Sequence, residues 1–100
     1  MRRIVVCEND PLLHLSEANA IDLLRMAGEI FIPLPVDREF ARNAPDIVLP
    51  DWVKVITLDD AYGQKADEWA RHIDAGESAA IALVMQTQAD WLLSDDAKAR

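Results

Sequence analysis

The run Ile4-Val5-Val6-Cys7 is apolar throughout, its first three residues are β-branched, and it stops at the polar cluster Glu8-Asn9-Asp10. An uninterrupted apolar run, without in/out alternation, suits a strand buried on both faces, as in parallel sheets covered by helices. This stretch therefore predicts a first, central strand. It also obliges the rest of the chain to supply helices that cross over both faces of the sheet.

The remaining segments can do so. Pro11 suits the first turn of a helix, with Asn9 or Asp10 as its cap, and Leu12, Leu13 and Leu15 give it an apolar side. Ser16 or Asn19 can continue or restart that helix through Ile21, Leu23, Leu24 and Met26 until Gly28 ends it, as one broken helix or two short ones. Glu29 to Ile32 reads as a second strand closed by Pro33, and Pro35 opens a helix through Val36 and Phe40 that carries Glu39. After a proline-bearing loop, Trp52 to Ile56 alternates like a third strand close to an edge, with Lys54 facing outward. Asp59 or Asp60 can cap a helix to about Ile73, with Tyr62, Ala66, Trp69 and Ile73 on one face. Asp74-Ala75-Gly76 reads as a turn, Glu77 to Gln88 as an alanine-rich helix able to pack closely on a sheet, and Ala89 to Ser94 as a fourth strand. The order predicts a single α/β domain over residues 1–100, three-layer α/β/α, with a mostly parallel central sheet of about four strands.

Several function classes are disfavoured at once. The 18 acidic and 10 basic residues leave a formal charge of -8, which opposes non-specific attraction to a phosphate backbone. A nucleic-acid role would have to rest on metal ions or on local basic patches. No glycine-rich phosphate loop occurs, and His14 and His72 lack any zinc-ligand spacing. Ser78 and Ser94 lack a nucleophile elbow, and the lone Cys7 reads as a buried strand-end residue in a reducing compartment. Trp52, Trp69 and Trp91 read as core or subunit-contact residues. The first residues carry neither a signal-peptide core nor a membrane span, so the expected location is the cytoplasm, with no membrane partner.

The carboxylates are the remaining source of chemistry. In an open parallel sheet ligands bind outside the carboxyl ends of the strands, where the strand order reverses. Glu8 and Asp10 follow the first strand, Asp95 and Asp96 follow the fourth, and Glu39 and Glu77 lie on helices able to flank the same end. Gathered carboxylates repel one another unless a cation neutralises them, and oxygen-only ligands suit Mg²⁺ or Mn²⁺. Each acid also has an ordinary role open to it: Glu77 as a first-turn acid on the helix dipole, Asp10 as a cap, Asp95-Asp96 as a cap and its neighbour, Glu39 as a solvated side chain.

These fragments together resemble the PIN domain, in particular a short bacterial and archaeal PIN-like branch of unknown function. The resemblance is carried by Ile4-Val5-Val6 with Pro11-Leu12-Leu13, Ile21-Asp22-Leu23-Leu24, Ile32-Pro33 with Val36 and Glu39, and Trp52-Val53-Lys54-Val55. Its more specific part is Gly76-Glu77 with Ala80-Ile81-Ala82-Leu83, followed by Leu92-Leu93-Ser94-Asp95-Asp96 and Arg100. The resemblance implies a Mg²⁺- or Mn²⁺-dependent ribonuclease acting on RNA, often the toxin of a toxin-antitoxin pair with an antitoxin protein as partner. It implies Glu8, Glu39, Glu77 and Asp95 or Asp96 as catalytic and metal-binding acids. Glu8 stands where the family has an aspartate, and Asp10 is a possible substitute ligand. The family continues with a further helix and strand, so the resemblance also implies a shortened member, lacking those last elements and leaning on a partner or a homo-oligomer. The alternative is a catalytically degenerate PIN-like interaction module.

Overall fold

A computed structural model of the chain describes residues 2–94. Its elements in order are β1 (Ile4–Cys7), α1 (Asn9–Glu17), a 3-10 segment (Ile21–Met26), β2 (Glu29–Pro33), α2 (Leu34–Asn43), β3 (Val53–Ile56), α3 (Asp60–Trp69), α4 (Ala75–Thr87) and β4 (Trp91–Leu93). The four strands form one sheet in the order β3-β2-β1-β4, with every pair parallel. The three-layer α/β/α expectation therefore holds.

Register explains which side chains face which layer. Val5 pairs with Ile30 and Trp91, and Ile30 with Val53, so these share one face; Val6, Phe31, Leu92 and Lys54 share the other. On the first face Val5, Cys7, Ile30, Ile32 and Val53 pack with Leu12, Leu24, Val36 and Phe40 from α1, the 3-10 segment and α2. On the second, Val6 packs with Ala80 and Leu83 of α4, flanked by Phe31, Ile56 and Leu58. The alanines of α4 let its backbone lie close to β1 and β2, and α3 packs on α4.

Local boundaries differ from the sequence reading at three points. Helix α1 starts at Asn9, with Glu8 as the N-cap residue and no side-chain cap bond. Neither Asn9 nor Asp10 caps it: Pro11 is tolerated at the third helical position because that N–H has no partner within the helix. Helix α3 ends at Trp69, and Arg71, His72 and Ile73 close it through bonds to the carbonyls of Glu68 and Trp69. Asp74 is the N-cap of α4, its Oδ2 accepting from the N–H groups of Gly76 (3.0 Å) and Glu77 (3.3 Å). Lys54 is exposed on β3, at the edge of the four-stranded sheet, as expected.

Gly28 is required where the chain enters β2. Its φ is +148°, and a Cβ there would be driven into the carbonyl oxygen of Arg3, which accepts from the N–H of Glu29 at 2.7 Å and starts the β1–β2 ladder. Gly28→Ala should lower stability by at least about 2 kcal/mol in urea unfolding, whereas Gly63→Ala, in open space on α3, should leave it unchanged or raise it slightly.

Candidate active site

Strand order 3-2-1-4 places β2 and β3 to one side of β1 and β4 to the other, so the chain reverses direction across the sheet between β1 and β4. The carboxyl ends of those strands flank the crevice where such sheets take their ligands. Helices α1, α2 and α4 all start at this end, because each leads away from a strand's carboxyl end or back toward a strand's amino end. Their first turns and caps surround the crevice.

The charges of two acids act on a third, Glu39. The Glu39 carboxyl is held above its usual range, first by burial and then by the negative charges of Asp74 and Asp10, while the Arg42 guanidinium works in the opposite direction. Glu39 and Asp74 meet at Gly76. A Cβ on Gly76 would stand 3.1 Å from Asp74 Oδ2 and 3.2 Å from Glu39 Oε2, so a side chain there would press on both carboxylates. They face an open cleft of about 280 Å³ between α2 and the start of α4.

The other candidates are arranged as follows. Glu77 lies in the first turn of α4, half-buried, its N–H given to Asp74. Glu8 is half-buried at the end of β1, its N–H donating to the Leu93 carbonyl at 3.0 Å, which ties the ends of β1 and β4 together. Neither Glu77 nor Glu8 contributes to the rise at Glu39. Asp95 and Asp96 lie outside the described residues. Between Glu8 and Asp10, Asn9 is only 4% exposed and its Oδ1 has no hydrogen-bond partner. Cys7 is fully buried, its Sγ donates to the Glu8 carbonyl, and burial with the Glu8 charge pushes its thiol up to about 12, which removes it as a nucleophile.

Asp74 is the acid that reading the sequence passed over. The signal was present, since Asp74 and Glu77 stand at the three-residue spacing of an N-cap and its N3 acid, directly before an apolar run.

A family model described as PIN domain matches residues 4–100. The chain belongs to the PIN domain family. PIN domains are nuclease-type domains, associated with RNA, that generally use divalent metal ions. Neither curated proteins nor solved structures give a match. Among the described residues no helix is long and apolar enough to cross a membrane.

The residues present suit such an ion in kind. Glu39 and Asp74 are hard oxygen donors at one cleft, and the Asp10 charge adds to that of Asp74 at Glu39. Among the described residues no three His, Cys, Asp or Glu side chains are gathered as a ready-made metal site, so binding would draw the acids inward.

Two outcomes follow for Glu39. Its folded-state pKa is raised, so the native protein holds that proton to higher pH than the unfolded chain. Its contribution is therefore destabilising above the ordinary glutamate range of about 4.3 and vanishes as pH falls below it. In metal-free thermal unfolding at pH 7, Glu39→Gln should melt about 1–3 °C above the wild type, with the gap closing as pH falls through the mid-fours. Gly76→Ala should preserve the fold, displace both carboxylates, and weaken Mn²⁺ binding measured by calorimetry by roughly tenfold.

Proposed function

We propose that this PIN domain is a Mg²⁺- or Mn²⁺-dependent endoribonuclease, the toxin of a toxin-antitoxin pair, working on RNA in the cytoplasm. The observation that carries this reading is the approach of Glu39 and Asp74 at Gly76, with the Asp10 charge also acting on Glu39, at the switch point of a parallel sheet in a chain of this family. Glu39, Asp74 and Asp10 would hold the ion, joined by Glu77, Glu8 and the family's closing acids Asp95 and Asp96. The chemistry such an ion supplies when bound is a more acidic water for in-line attack on a phosphodiester, and relief of charge on the leaving oxygen.

The protein's own groups prepare that chemistry. Asp74 is oriented by two backbone N–H groups from the start of α4, so its carboxylate is fixed before any ligand arrives. Glu39 is partly withdrawn from water beside it, which strengthens its attraction for a cation. Gly76 keeps the space between them clear. Trp91 and Leu92 on β4, both substantially exposed, support association with a second copy or with an antitoxin protein.

Cleavage of a single-stranded RNA with Mn²⁺ tests the reading. The wild type should cut and lose activity in EDTA, and Glu39→Gln should lose at least about 100-fold while remaining folded. Full activity in EDTA or in Glu39→Gln would refute the assigned site. A folded protein that neither cleaves nor binds Mn²⁺ would instead be an interaction module.

A further inference from the structure

Two of the chain's ten basic residues, Arg38 and Arg42, line the same cleft as Glu39 and Asp74. They stand about one helical turn apart on α2, about 6 Å along its axis, on either side of Glu39 in the chain and both exposed. Arg42 has an ordinary rationale in the last turn of α2, where a cation complements the helix dipole. Arg38 is mid-helix, exposed on the cleft wall. The other basic cluster is elsewhere: Arg2, Arg25 and Lys54 line a separate hollow with Gly28 and Trp52, at the amino ends of the strands.

A protein of net charge -8 repels a polyanion at long range, so a nucleic-acid strand can settle in a cleft that carries carboxylates only where cations meet its phosphates. A bound divalent ion offsets the carboxylates but leaves the flanking phosphates unattended. Guanidinium forks match phosphate oxygens in geometry as well as charge. Resting on the nuclease reading above, we propose that Arg38 and Arg42 are positioning residues that hold the phosphates of a single-stranded RNA on the α2 wall of the cleft, flanking the scissile bond. They bind backbone and carry no base specificity.

The test is the salt dependence of binding of a fluorescent single-stranded RNA in EDTA, read by anisotropy, together with Mn²⁺-dependent cleavage kinetics. Each phosphate contact on a single strand contributes about 0.7 to the slope of log affinity against log salt. Arg38→Gln with Arg42→Gln should lower the slope by about 1.4, weaken binding at low salt at least about tenfold and raise KM more than it lowers kcat. The Lys pair at the same positions should retain most of the slope. Arg25→Gln with Lys54→Gln, the same charge change at the far end of the sheet, should leave it unaltered. An unchanged slope in the cleft pair, an equal loss in the far pair, or no binding by the wild type even at low salt overturns the proposal. Arginine-dependent binding without cleavage would overturn the nuclease reading alone, and cleavage with unaltered KM in the arginine variants would overturn this inference alone.

Discussion

Val5, Val6 and Cys7 have no exposed surface, and the rest of the structure depends on that complete burial of β1. A strand sealed on both faces needs helices above and below, and parallel partners on both sides need long crossovers to reach them. Two crossovers on the α1/α2 side carry the chain outward to β3, and the third, over α4, brings it back past β1 to β4. The reversal between β1 and β4 opens a crevice at their carboxyl ends. The placement of the acids thus follows from the way β1 is buried.

That constraint also explains what was legible in the sequence. The four strands, the helix carrying Glu39 and the alanine-rich helix all announce themselves through local patterns, because apolar periodicity, prolines and glycines act over a few residues. Gly28 is a clear case, since its positive φ and its contact with Arg3 leave no room for a side chain. Element ends were less legible. Gly76 resembles a turn glycine, which drew attention from Asp74 two residues before it, yet its real constraint is the close approach of Glu39 from another helix. That approach is a tertiary fact with no trace in local spacing. The same holds for Arg38 and Arg42, which on sequence alone are indistinguishable from a solvated helix face.

The site is a balance of like charges with a limited number of releases. Burial and two neighbouring carboxylates all press Glu39 toward its protonated form, and Arg42 alone opposes them. Asp74 is held there as the N-cap of α4, so the charge it sets against Glu39 accompanies the two backbone N–H groups it satisfies. The like charges of Glu39 and Asp74 meet at the mouth of the cleft between α2 and α4, where a cation would relieve them.

The position after β1 sharpens the point. The family resemblance sets an acid at Glu8, one methylene longer than the aspartate usual there, but Glu8 begins α1 as its N-cap residue, and its N–H is tied to the end of β4. Asp10, two residues further and inside the first turn, is the acid whose charge reaches Glu39. Glu8 stands in extended backbone at the cap and Asp10 inside the first helical turn, so the two acids leave the chain from different backbone conformations, and of the two only Asp10 adds to the charge that raises Glu39. The Glu8 backbone instead belongs to the β1–β4 junction, through its bond to the Leu93 carbonyl.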